Sequence, residues 1–223
     1  MQETLKDRYI NILNKVDTLK TNSDVELVAI SKYHSAAKIR ELYNIGHRTF
    51  GENYLSELVE KYEQLKDLSD IKWYFSGHIQ SNKIKQIVKY CDAVLSLSSE
   101  KHARKFQKEL ENIDKKNFQA YIAINLANEE SKTGVSLSGS GELANFVTNN
   151  CPNIQLMGLM SIPPKVCENR ITVYKNLREA CNSVGEAKLS LGMSSDLEDA
   201  LKVGTNQVRI GTAIFGERNY DRK

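Results

Sequence analysis

Proline is nearly absent from this chain of 223 residues: Pro152, Pro163 and Pro164 are the only three. No Pro/Gly/Ser-rich stretch divides it, so no linker is expected, and residues 1–223 are read as a single domain. Long apolar runs are missing too; none approaches the ~20 residues that a membrane-spanning helix requires. Glu3, Lys6, Asp7 and Arg8 interrupt the apolar pattern between Met1 and Val16, which excludes a signal-peptide core there and makes the cytoplasm the expected compartment. A strong charge of one sign is likewise absent. The 31 Lys and Arg stand against 28 Asp and Glu, a net charge of +3, too small and too evenly mixed for nucleic-acid binding by bulk charge. Cys91, Cys151, Cys167 and Cys181 are scattered, with no C-x-x-C pair and no histidine at zinc-finger spacing. Neither a disulfide framework nor a zinc site is expected, and the four thiols read as buried or half-buried. What remains, 40% hydrophobic and 26% charged residues, is the composition of a globular protein with a real core.

That composition is arranged in a recurring order. Leu5, Tyr9, Ile12, Leu13, Val16 and Leu19 recur at helical spacing and predict an opening helix. Eight apolar runs of strand length follow, at 25–31, 48–52, 71–76, 93–97, 119–125, 154–160, 187–191 and 207–211. Helix-like stretches separate them, at 36–45, 55–65, 83–90, 100–110, 142–149, 170–183 and 197–203. Runs such as Val25 to Ile30 are nearly continuous rather than alternating, as expected of parallel strands buried on both faces. Strand–helix alternation calls for a parallel sheet with right-handed crossovers. Eight units close most simply into a (β/α)8 barrel, with an open doubly wound sheet as the competing arrangement.

In such barrels functional residues sit at the C-terminal ends of the strands. The first strand runs into Ser31-Lys32, where a partly desolvated amine would be suited to Schiff-base chemistry with an aldehyde; taken alone, Lys32 reads more readily as a surface lysine opening a loop. The second ends Gly51-Glu52-Asn53-Tyr54 and the third Gly77-His78-Ile79-Gln80-Ser81-Asn82-Lys83, each placing polar groups beside a glycine. The seventh ends Gly192-Met193-Ser194-Ser195-Asp196, and the eighth reads on from Val208-Arg209-Ile210-Gly211-Thr212 to Gly216. Hydroxyls and glycines after strands seven and eight are the material of a barrel phosphate site, although Ser194 or Ser195 alone could be a helix cap. Arg209, two residues before Gly211 on the same strand, would lie deeper, at the level of a ring attached to that phosphate. A phosphate cradle, a lysine for an aldehyde and an arginine for a ring nitrogen are the three needs of pyridoxal 5'-phosphate.

These blocks, together with Val28-Ala29-Ile30, Asn128-Glu129-Glu130-Ser131-Lys132-Thr133-Gly134 and Gly158-Leu159-Met160-Ser161-Ile162-Pro163, resemble the pyridoxal phosphate homeostasis proteins nearly end to end. That family is itself similar to the barrel domain of bacterial alanine racemases. The resemblance implies that Lys32 carries the cofactor as an aldimine, that Arg209 faces the pyridine nitrogen, and that Ser194, Gly211 and Thr212 hold the phosphate. It also implies that Asn53 and His78 lie near the cofactor. Tyr33-His34-Ser35 follows the lysine where the family usually has a proline close behind it, a change to the loop rather than to the lysine.

An arginine partner keeps its proton, leaves the pyridine largely unprotonated and so disfavours transamination. Full-size alanine racemases add a second domain that supplies a tyrosine base. Only seven residues follow Gly216 here, so that domain is not expected. The expected function is therefore a carrier or regulator in vitamin B6 and amino-acid homeostasis, more a holder than a catalyst. It is expected to be a monomer, with pyridoxal-phosphate-dependent apoenzymes as possible recipients and no nucleic-acid or membrane partner. A weak amino-acid racemase is the alternative, followed by a cofactor-free Schiff-base aldolase. Gly139-Ser140-Gly141-Glu142-Leu143-Ala144 fits a dinucleotide fingerprint but does not directly follow a strand and reads as a loop and helix cap.

Overall fold

The computed structural model describes residues 3–126, 134–163 and 169–217. Eight strands, β1 (Glu26–Ile30), β2 (Thr49–Glu52), β3 (Lys72–Phe75), β4 (Ala93–Leu97), β5 (Phe118–Ile124), β6 (Ile154–Ser161), β7 (Lys188–Ser190) and β8 (Gln207–Ile210), pair in parallel in chain order. Val28 of β1 lies opposite Arg209 of β8 and closes the barrel. Six of the eight expected runs contain their strand whole, while β5 starts one residue before its run and β6 ends one residue beyond its own; the open-sheet alternative is excluded by the closure.

Helices α1 (Leu5–Leu19), α2 (Ala36–Asn44), α3 (Leu55–Gln64), α4 (Ile84–Tyr90), α5 (Glu100–Asn112), α6 (Ser140–Asn150), α7 (Arg170–Cys181), α8 (Leu197–Lys202) and α9 (Thr212–Phe215) surround it. Among the described residues none is long and apolar enough to cross a membrane. Gly139 and Ser140 open α6, so the glycine-rich stretch there is a helix start. Cys91, Cys151 and Cys181 are free and buried, whereas Cys167 and Asn128–Thr133 lie outside the described residues. Leu13, read as part of the apolar stripe of α1, is 39% exposed, because the helix rests on the barrel through Leu5, Tyr9 and Val16.

The end of β8 differs from the sequence reading. The apolar run continues through Ala213-Ile214-Phe215 and looks like more strand, but Thr212–Phe215 is a turn of helix. Arg8 Nε donates to the Ile214 carbonyl at 2.8 Å and Lys38 Nζ to that of Phe215 at 3.0 Å. Cations on carbonyls at the C-terminal end of a turn favour helix over strand.

Pleat alternation sorts the core into two layers. Ala29, Phe50, Leu189, Leu191, Val208 and Ile210 point outward into the main core beneath the helices. Val28, Tyr74, Leu95, Tyr121, Ala123 and Met160 fill the barrel itself, with Ile30 packed on them.

His47 ties α1 to the barrel. Its Nδ1 accepts from the Tyr9 hydroxyl at 3.2 Å, and its Nε2–H donates to the Thr49 carbonyl at 2.7 Å. Both bonds use the neutral ring, and burial drives its pKa down to about 4. The unfolded chain therefore binds a proton, between pH 6.5 and 4, that the folded chain resists, so stability falls as pH drops through that window. Between pH 7 and pH 4 the wild type should lose about 3 kcal/mol more than His47→Gln; urea titrations at both pH values measure the difference.

Candidate functional site

Alternation along β1 puts Val28 and Ile30 inside, so the next residue of that parity, Lys32, faces the barrel mouth. Along β8 the same rule places Gln207, Arg209 and Gly211 on the inner face. A cavity of about 250 Å³ at the C-terminal end of the barrel is lined by Lys32, Asn53, Ser194, Arg209, Gly211 and Thr212. Ile30, Ser76, Met160, Ile162, Met193 and Ser195 complete it. Six of the seven expected site residues thus meet in one place. His78 does not: it is exposed and lines a neighbouring cavity of about 550 Å³ with Tyr54, Phe75, Gln80, Lys83 and Gln86. Asn53 borders both cavities. Among the described residues no cluster of three or more His, Cys, Asp or Glu could hold a metal ion.

Arg209 is 4% exposed. Its Nη1 donates to Ser190 Oγ at 2.6 Å and its Nη2 to the Ser161 carbonyl at 2.7 Å. Burial lowers its pKa to about 10, opposed by Asp196, Tyr174 and Tyr121, so it stays cationic at neutral pH. The two bonds fix the guanidinium plane, and the arginine has further N–H donors to offer the cavity it lines. Ser190 was not singled out from sequence; its i, i+2 relation to Gly192 on the strand beside Arg209 is the signal that could have found it.

The loop after β7 and the first turn after β8 form one wall. Asp196 Oδ1 accepts from the Met193 N–H at 3.1 Å, and Asp196 Oδ2 accepts from the buried Tyr174 hydroxyl at 2.5 Å. Asp196, not Ser194 or Ser195, is the N-cap residue of α8. Ser194 Oγ instead accepts from the Ala213 N–H at 3.3 Å, drawing the β7 loop to the start of α9. Gly192 takes a φ of +98° at the turn out of β7, a conformation that favours glycine. A hydroxyl, a helix start and a glycine converge there, a cradle suited to a phosphate. Lys32, Arg209 and this cradle face one cavity, so the residues present fit pyridoxal 5'-phosphate.

Beneath the Lys32 turn lies a buried ion cluster. Lys61 on α3 is 5% exposed and Glu52 on β2 is fully buried. Lys61 Nζ donates to Glu52 Oε1 at 2.7 Å, to Glu57 Oε2 at 2.9 Å and to the Ser31 carbonyl at 2.9 Å. Ser31 Oγ donates to Glu52 Oε1 at 2.6 Å, and the Tyr33 N–H to Glu57 Oε2 at 2.8 Å. Burial pushes the Glu52 carboxyl up, while Lys61 and Ser31 hold it down. The cluster grips the residues on both sides of Lys32 and supports Tyr33 at a φ of +65°.

Comparison with known proteins identifies the family of this barrel. The family model for the N-terminal domain of alanine racemase matches residues 9–219, which defines the class of barrel. A pyridoxal phosphate homeostasis protein of Aquifex aeolicus (strain VF5) is 38% identical over 206 residues, covering 87% of this chain and 88% of that protein. The one of Homo sapiens is 34% identical over 214 residues, covering 88% of this chain and 78% of that one. The chain belongs to the pyridoxal phosphate homeostasis protein family. The solved structure of PipY from Synechococcus elongatus PCC7942 with PLP bound superposes at a TM-score of 0.84, with 27% identity and coverage of 96% of this chain and 100% of that one. An alanine racemase of Clostridium difficile 630, at 15% identity and a TM-score of 0.74, is similar in fold; this chain covers 58% of it.

Removing Lys61 leaves Glu52 charged and uncompensated in the interior. Lys61→Met should cost about 3–5 kcal/mol in urea unfolding. Glu52→Gln/Lys61→Met, which removes both charges, should recover more than half of that loss.

Proposed function

We propose that this protein holds pyridoxal 5'-phosphate in the cavity at the barrel mouth and takes part in intracellular vitamin B6 and amino-acid homeostasis. The convergence of Lys32, Arg209 and the Ser194/Gly211/Thr212 cradle on one cavity carries the reading. The name of its family and the PLP-bound relative support it.

In this reading Ser194, Gly211 and Thr212 would hold the phosphate, and Arg209 would donate to the ring nitrogen. Lys32, which lines the same cavity, would hold the cofactor through its amine, the group able to condense with an aldehyde with loss of water. When bound there, the cofactor would supply an electrophilic carbon for amines. Arg209 stays cationic and keeps the ring nitrogen unprotonated, which limits stabilisation of a carbanion and suits holding the cofactor better than turning over amino acids. Asn53 at the cavity edge contributes polar contact, and His78 serves the adjoining cavity. The protein acts as a cytoplasmic monomer that buffers the cofactor and delivers it to dependent apoenzymes.

Visible spectroscopy of the purified protein after incubation with excess pyridoxal 5'-phosphate tests the proposal. Wild type should show a Schiff-base band that borohydride fixes covalently, and Lys32→Ala should retain no fixed cofactor. A wild type without such a band overturns the reading and favours a cofactor-free Schiff-base aldolase. Rapid racemisation of amino acids by the loaded protein overturns the carrier assignment.

A further inference from the structure

A line of side chains crosses the barrel interior from Arg209 to the opposite end. Arg209 Nη1 donates to Ser190 Oγ at 2.6 Å, Ser190 Oγ donates to Gln207 Oε1 at 2.7 Å, and Gln207 Nε2 donates to Glu26 Oε2 at 2.7 Å. Glu26 Oε1 also accepts from the Tyr74 hydroxyl at 3.1 Å. Glu26 opens β1 and Gln207 opens β8, so the carboxylate stands at the N-terminal end of the barrel, away from the cavity. The direction of the line is forced at both ends. A guanidinium can only donate and an ionised carboxylate can only accept, so Ser190 must pass its proton onward and the Gln207 amide must present oxygen to Ser190 and nitrogen to Glu26. Every dipole points the same way, an arrangement in which successive hydrogen bonds reinforce one another.

We propose that Glu26 is the remote counter-ion of Arg209, a positioning residue that acts through Gln207 and Ser190 to fix the guanidinium and set the charge felt in the cofactor cavity. Asp196 from the loop before α8, Tyr174 from α7 and Tyr121 from β5 also face Arg209, and these are unchanged in the variants below. The effect on bound cofactor rests on the proposed function; the coupling between Glu26 and Arg209 does not.

The experiment therefore has two arms. In ligand-free protein, Glu26→Gln, which keeps the side-chain shape, should lower the melting midpoint by about 4 °C, but by about 1 °C or less in an Arg209→Gln background. Equal drops in both backgrounds overturn the proposal. In protein loaded with pyridoxal 5'-phosphate, removing the carboxylate makes the interior more positive and disfavours the protonated Schiff base. The pH midpoint of the visible band should then fall by about half a pH unit in Glu26→Gln. Glu26→Asp, which keeps the charge but shifts the packing, should leave the midpoint within about 0.2 of wild type. A midpoint that moves equally in both variants, or in neither, overturns the electrostatic role. A wild type that forms no band overturns the cofactor reading instead, and the ligand-free coupling then decides whether Glu26 serves Arg209.

Discussion

Burying a guanidinium inside a parallel barrel costs several kcal/mol of solvation unless its donors are met. The interior of this barrel meets two of them from two strands. Ser190 on β7 and the Ser161 carbonyl at the end of β6 take two donors, and Gln207 with Glu26 continues the line toward β1. The polar residues of the interior are therefore one connected system rather than isolated exceptions in an apolar core. A fixed cation at mid-depth favours a hydrogen-bond acceptor beside it, which is what the proposed placing of a ring nitrogen there uses.

The outer shell serves the same end. Arg8 from α1 and Lys38 from α2 hold the α9 carbonyls, and Asp196 holds the β7–α8 loop, so the cradle is shaped from behind by α1, α2 and α7. The close approach of Gly77 to Asn53, where a Cβ would collide with the Asn53 carbonyl, packs the β2 and β3 loops together at the border of the two cavities. Under Lys32 the Glu52–Lys61–Glu57 cluster plays a comparable part.

The strands and most helices could be read from sequence because each is a local pattern: apolar runs of the right length, then 3.6-residue periodicity. Lys32, Arg209, Ser194, Gly211 and Thr212 were legible as strand-end residues once eight strands were counted. Less legible was anything that depends on partners far apart in the chain. Glu26 and Gln207 are 181 residues apart, and Lys61 looks like one more surface lysine on a charged helix until Glu52 is found against it. The turn of α9 was hidden for the same reason, because its carbonyl partners are contributed by residues 8 and 38. His78 is the reverse case: it follows a strand end, yet it lines the neighbouring cavity rather than the one beside Lys32.

A crystal structure of the protein with pyridoxal 5'-phosphate tests the central claim most directly. The account predicts density joining Lys32 to the cofactor, the phosphate against Ser194, Gly211 and Thr212, and the ring nitrogen at hydrogen-bond distance from Arg209. Cofactor seated in the cavity beside His78, or joined to a different lysine, would contradict it.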